Sequence, residues 1–192
     1  LALAGTSLAA VFLVPQIRLV LVSGNTSGLS LTWAAFGVVT NAAWIAYLAT
    51  QRLWAPALAP ALAVLTYGCL LAVMIRIGGG SDRWAFRAAA YAGSLTAVSI
   101  AGGPGGLAVV LVLTPAIQIL PEISTVFRHA RPVGVSPSAW SLGLAEAVCW
   151  GWFGFLVGDG ALIGYGAVAG AGSAVILLRW WTTCGARRLR MA

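Results

Sequence analysis

"VPQIRLVLVSGNTSGLSLTW", residues Val14 to Trp33, decides how the rest of the chain is read. It begins inside an apolar run, and Pro15, Gln16 and Arg18 fall within that run. It then breaks in a turn carrying glycine and serine and restarts as a second apolar run. A proline inside a helix removes one backbone hydrogen bond and clashes with the preceding turn. In lipid the freed carbonyl has no bulk water to turn to, so it needs a partner supplied by the protein. The stretch therefore predicts a helix that bends near one end, with Gln16 placed to serve the freed groups.

The sequence on either side explains why such a helix would lie in lipid. The chain has 192 residues, of which 60% are hydrophobic and 8% charged. A soluble domain carries about 25% charged residues. The apolar residues form long runs, each near the roughly 20 residues that cross a bilayer as a helix. Seven spans are predicted, at about 2–22, 32–51, 55–77, 84–102, 106–127, 138–158 and 160–181. The fourth has the weakest apolar signal, with Arg87, two serines and a threonine. The connections are too short for a soluble domain, which places any function in the membrane or at its faces. The first span is too long for the apolar core of a cleaved signal peptide and contains Arg18. A few residues are expected to precede Leu1. Cys69, Cys149 and Cys184 lack metal-ligand spacing, and no disulfide is expected.

Charge orients the spans. The net charge of +7 comes from arginine, with no lysine present. With the C-terminus in the cytoplasm and the N-terminus outside, Arg18, Arg76, Arg83, Arg87, Arg128, Arg131, Arg179, Arg187, Arg188 and Arg190 fall on or near the inner side, and Arg52 alone lies outside. Cytoplasmic loops are enriched in arginine and lysine, so this orientation is the expected one. The setting is an integral membrane protein of a bacterial-type plasma membrane. The arginines are divided among separate loops, which argues against a nucleic-acid partner. The tail "RWWTTCGARRLR" reads as an aromatic interfacial belt followed by a lipid-facing basic cluster.

The opening stretch has a second copy. "PQIRLVLVSGNTSGLS" from Pro15 aligns without gaps with "PEISTVFRHARPVGVS" from Pro121, 106 residues later. At that offset Ile17 meets Ile123, Val20 meets Val126, Gly28 meets Gly134, Ser30 meets Ser136, Gly37 meets Gly143 and Trp44 meets Trp150. Gln16 meets Glu122, and Tyr47 meets Phe153. Each repeat holds three spans. An odd number of crossings ends on the far side, so one further span restores a parallel orientation. The expected fold is an all-α integral membrane protein with seven transmembrane helices. Two parallel triple-helix bundles would be joined by a linker helix (3+1+3), over residues 1–78, 79–104 and 105–182, followed by a basic cytoplasmic tail at 183–192.

These residues resemble the PQ-loop superfamily and, within it, the SWEET and SemiSWEET (MtN3/saliva) sugar transporters. The resemblance rests on Pro15-Gln16, Gly28-Leu29-Ser30 and Trp44-x-x-Tyr47, and on Pro121-Glu122, Gly134-Val135-Ser136 and Trp150-x-x-Phe153 in the second copy. It implies a carrier of small solutes working by alternating access. SWEETs pass sugars down their gradient, other members export amino acids with protons, and some relatives act as sorting receptors. In sugar-carrying members an asparagine on the third helix of each bundle faces the substrate; the third spans here contain none.

Pro15 and Pro121, each beside Gln16 or Glu122, are expected to act as equivalent hinges or gates. Trp44 and Trp150 lie deep in matched spans and are expected to line a pocket, where an aromatic face can stack on a sugar or a cation. Thr40 and Asn41 precede Trp44 by four and three residues, and Glu146 precedes Trp150 by four. Residues so spaced share a helix face. Thr40, Asn41 and Glu146 thus join the tryptophans as the expected substrate site. An acid inside a span marks function, here proton coupling or binding of an amine or hydroxyl. Trp33, Trp54, Trp84, Trp140, Trp180 and Trp181 lie near span ends and read as interfacial anchors. Gly164, Gly166, Gly170 and Gly172 are expected to let helices approach closely. His129 reads as a solvated loop residue, Asp159 as a turn residue and Asp82 as a loop partner for Arg83.

No span holds a histidine, and no metal motif is present, so neither enzyme, metal nor cofactor is expected. The expected partners are a small polar solute and the lipid bilayer. A homo-oligomer is compatible with this, though one chain already holds a full pair of bundles. The expected function is transport of a small polar solute, with a sugar first. The alternatives are a proton-coupled amino-acid or amine carrier, and a non-transporting PQ-loop receptor or assembly factor.

Overall fold

The computed structural model describes residues 1–78 and 83–185. Asp82 and the tail arginines Arg187, Arg188 and Arg190 lie outside the described residues. Among the described residues the chain is helical throughout, without strands. The helices are α1 (Ala2–Val11), α2 (Val14–Ser23), α3 (Leu31–Thr50), α4 (Trp54–Gly78), α5 (Arg83–Arg128), α6 (Pro137–Val157) and α7 (Gly160–Trp180), with a π-helical turn over Trp181–Gly185. Counting α1 and α2 as one segment, six are long and apolar enough to cross a membrane.

Local chemistry sets the helix ends. Pro15 takes the start of α2, where its missing N–H is not needed, and the helix is interrupted at Phe12–Leu13 just before it. Ser30 and Ser136 cap α3 and α6, their hydroxyls accepting from the N–H groups of Trp33 and Ala139 at 3.2 and 3.3 Å. These are again partners under the 106-residue offset. Asp159, expected as a turn residue, caps α7 by accepting from Ala161 and Leu162 N–H groups. The expectation of two equivalent proline kinks meets a difference here. The helix is interrupted at Pro15 but runs on through Pro121 inside α5.

The sequence predicts two spans where the structure has the 46-residue α5. That helix is not straight. Gly103 has φ 57° and ψ −156°, outside the helical region and open chiefly to glycine. The bend is sharp enough that a Cβ on Gly106 would meet the Val98 carbonyl at 3.4 Å. In a straight helix eight residues rise about 12 Å. Both parts of α5 lie against α3. Tyr91, before the bend, stacks on Phe36, and Leu107, after it, joins the cluster around Trp44.

α4 packs on α1, α2 and α3, and α7 packs on α5 and α6. α1 reaches across to α6, and α3 to α5. Glycine permits the closest of these contacts. A Cβ on Gly166 would sit within 2.7 Å of the Ala147 carbonyl oxygen and the Gly151 nitrogen on α6. Gly172 faces Ile119 and Gly164 faces Val112 in the same manner. Two buried clusters result. One holds Trp33, Tyr67, Ile119 and Trp140, and the other Trp44, Tyr47, Leu111 and Trp150.

Candidate functional site

The α2–α3 and α5–α6 connections meet at one end of the molecule. Gly134 N–H donates to the Ser27 carbonyl at 3.0 Å. Gly28 has φ +87°, and a Cβ there would meet Pro132 Cβ at 2.6 Å. Both duplicated glycines are thus required where the two connections touch. A Cβ on Gly134 would strike the Ser27 carbonyl oxygen at 2.7 Å.

Gln16 and Glu122 tie these connections together in a crossed pattern. Gln16 Nε2 donates to the Gly134 carbonyl at 2.7 Å, and its Oε1 accepts from Ser136 N–H at 2.8 Å. Glu122 Oε2 accepts from Ser30 N–H at 2.7 Å. Each side chain of one repeat therefore caps the Gly-x-Ser turn of the other. Both residues are fully buried. Gln16 serves the opposite turn, where the sequence predicts service to groups freed by its own proline.

Beyond these two ties lies a stack of aromatic rings and then a cavity. Trp33 and Trp140 face each other at 5.3 Å between centroids, and Tyr67 meets Trp33 edge-on at 5.4 Å. The assignment of these two tryptophans as interfacial anchors is corrected: they are 2% and 7% exposed. They sit at the third and fourth positions after a capping serine, which carries them inward with the start of their helices. Trp54 and Trp181 are exposed, as interfacial residues are.

The cavity holds about 60 Å³ and is lined by both halves. That is room for a handful of waters, since one needs roughly 10–15 Å³. Thr40, Asn41 and Trp44 reach it from α3, and Glu146 reaches it from α6. A second, smaller cavity, of about 40 Å³, is lined by Asn41, Trp44, Glu146 and Trp150. Five expected site residues thus gather around two adjoining cavities. The Trp44–Tyr47 and Trp150–Phe153 pairs meet edge-on at 5.7 and 5.9 Å, so the repeat extends to side-chain geometry.

The polar groups are unequally engaged. Glu146 Oε1 accepts from Trp150 Nε1 at 3.2 Å and from Tyr165 OH at 3.4 Å. Trp44 Nε1 is buried without a partner. Asn41 Nδ2 donates to the Gly37 carbonyl of its own helix. Thr40 Oγ1 is 2.9 Å from Tyr91 OH. Tyr91 lies in the weakly apolar segment read as a linker, and that segment supplies a buried hydroxyl beside the site. Gln118 Nε2 donates to Tyr67 OH at 2.8 Å. Tyr67, Gln118, Tyr165 and Ser173 were missed as lining residues. One signal was available: Tyr67 on α4 and Ser173 on α7 are themselves 106 residues apart.

His129, expected to be solvated, is half-buried, with Nδ1 2.8 Å from the Thr125 carbonyl oxygen. Among the described residues no three His, Cys, Asp or Glu side chains gather as a metal site. The groups around the two cavities are indole faces, hydroxyls, amides and one carboxyl. No protein-family model, curated protein or solved structure matches the chain.

Proposed function

We propose that this chain is a membrane transporter that moves a small polar solute by alternating access, with a sugar as the first candidate. The observation that carries the reading is the cavity lined from both repeats, with Trp33 and Trp140 in its wall. The crossed Gln16 and Glu122 contacts, which we read as its seal, join the connections that lead into α3 and α6, the helices of those two tryptophans. A binding protein needs a pocket. A carrier needs a pocket with a breakable seal, and a duplicated seal suits two halves that rock together. The cavity is too small for a sugar as it stands, so loading requires the halves to separate.

The broken α5 is read as two crossings, which makes seven spans in a 3+1+3 order with parallel halves. The preference for neighbours supports this, since α4 and α7 hold like positions in their halves. The C-terminus lies in the cytoplasm by the arginine distribution, which puts the sealed end on the cytoplasmic side. The third helices offer Tyr67 and Ser173 to the solute where sugar-carrying PQ-loop proteins offer asparagine.

Glu146 favours a second reading. A carboxyl in the cavity suits a proton-coupled amino-acid or amine carrier. Purified protein in proteoliposomes separates the two. Uptake of labelled glucose or sucrose without a pH gradient supports the facilitator. Flux that needs a gradient and is lost in Glu146→Gln supports the coupled carrier. If no sugar, amino acid or amine moves while a membrane or soluble protein co-purifies tightly, transport is refuted and the receptor reading replaces it.

A further inference from the structure

The two ties at the sealed end differ by one atom. Gln16 uses a donor and an acceptor, Nε2 to the Gly134 carbonyl and Oε1 from Ser136 N–H. Under the 106-residue offset the matching groups for Glu122 are the Gly28 carbonyl and Ser30 N–H. Glu122 Oε2 takes the Ser30 N–H, but Oε1 is buried with no partner. A carboxylate offers acceptors only, so it cannot serve a carbonyl; a carboxylic acid offers one O–H donor. A proton on Oε1 gives Glu122 the same donor–acceptor pair that Gln16 has.

We infer that Glu122 is a proton-binding site that latches the sealed end: protonated, it closes onto the Gly28–Ser30 turn, and loss of the proton releases it. The latch rests on the transport reading for its purpose, but its chemistry is independent of any solute.

The surroundings leave the proton as the means of neutralisation. Glu122 is 0% exposed, and a buried carboxylate with a single backbone donor is strongly disfavoured. No cation among the described residues pairs with it. On α4 the Tyr67 hydroxyl is engaged by Gln118. On α2, Arg18 lines an outer groove with Pro15 and Ser136. His129, past the end of α5, is held to the Thr125 carbonyl, while Arg179 on α7 donates to the His129 carbonyl and lies over Phe127. Arg128 and Arg131 are exposed. Along α3 the nearest ionisable side chain is Tyr47, in the other cluster. The second buried acid, Glu146, belongs to that other level too and has its own donors in Trp150 and Tyr165.

Infrared spectroscopy of the full chain in lipid tests the proton directly. The wild-type spectrum should contain a protonated-carboxyl band that disappears in Glu122→Gln and persists in Glu146→Gln. Raising the pH should bleach that band and, in step, lengthen the distance between spin labels at Ser23 and Ala130 in a background lacking the three cysteines. Both positions are exposed, Ser23 at the end of α2 and Ala130 in the α5–α6 connection. Glu122→Gln should hold the short distance at every pH. Gln16→Glu, the mirror change, should add a second such band and steepen the pH response. The inference is overturned if Glu122→Gln removes no protonated band. It is equally overturned if the wild-type distance ignores pH, or if Glu122→Gln tracks the wild type. None of these readouts uses a solute, so they fail or succeed separately from the transport assays. Should Glu122→Gln not fold, the wild-type titration and Gln16→Glu decide.

Discussion

Gln16 commits both ends of one amide to the opposite repeat, whereas Asn41 returns its amide to the Gly37 carbonyl of its own helix. The difference predicts different costs of removal. Gln16→Ala deletes two interhalf bonds and leaves the buried Ser136 N–H without an acceptor, about 1–3 kcal/mol for the orphaned group alone. Asn41→Ala breaks one local bond, and the Gly37 carbonyl keeps its backbone partner. Thermal unfolding in detergent should show a clear loss of Tm for Gln16→Ala and a small one for Asn41→Ala. Equal losses would mean that the crossed bond contributes little to holding the halves together. In the cavity the roles reverse. Trp44 Nε1 has no partner and is free to donate to a solute, while Trp150 Nε1 is occupied by Glu146. Trp44→Phe keeps a large apolar ring and removes that donor. It should weaken solute binding by roughly the 1–3 kcal/mol attached to a buried unpaired group, read as a raised Kd in a ligand-induced thermal shift series. Thermal stability without ligand should hold or rise, because an unsatisfied donor is gone.

At the scale of elements the contact between α6 and α7 is set by backbone approaching backbone. A Cβ on Gly166 would press on the Ala147 carbonyl and Gly151 nitrogen, neither of which can rotate away. Gly166→Ala should therefore push α7 off α6 and destabilise by about 1–3 kcal/mol, in the range of overpacked sites. Gly68, on α4, has open space around it. Gly68→Ala should leave Tm unchanged or raise it by restricting the unfolded chain. A Tm loss of the same size at both positions would contradict this packing. Much of this level was legible in advance. Apolar runs between polar breaks placed the helices, because lipid demands that backbone groups bond within the segment. The duplicated Trp44 and Trp150 pointed to residues that line the two cavities, whereas the capping by Ser30 and Ser136 was not read from their match in the repeat. Other features depend on distance between helices, which residue spacing does not encode. Trp33 and Trp140 lie near span ends, as anchors do, and turn inward only because two capped helix starts meet. Tyr91 sits among weakly apolar residues and matters through Thr40, 51 positions away. The unequal behaviour of Pro15 and Pro121 was also hidden, since both present the same local chemistry.

For the whole molecule the decisive element is α5, because the number of times it crosses fixes the face on which every later loop lies. Arg83–Arg128 is one helix by continuity and two by the bend at Gly103. If it crosses once, the α3–α4 and α5–α6 connections share a face. If it crosses twice, they lie on opposite faces, and the halves become parallel. Gln51 and Ala130 are exposed residues in those two connections. Single cysteines there, with Cys69, Cys149 and Cys184 replaced by serine, can be treated with a membrane-impermeant maleimide. Gln51→Cys should react in intact cells, and Ala130→Cys only after the membrane is permeabilised. Reaction of both in intact cells would return α5 to a single crossing and dissolve the parallel halves. The reversed pattern would keep the halves and invert the molecule, placing the Gln16 and Glu122 ties at the outer face, where they would meet external pH. With the expected pattern, the ties face the cytoplasm. The proposed latch at Glu122 would then answer to cytoplasmic pH, and in the reversed pattern to external pH, so the labelling result also fixes the side from which the pH titration must be made.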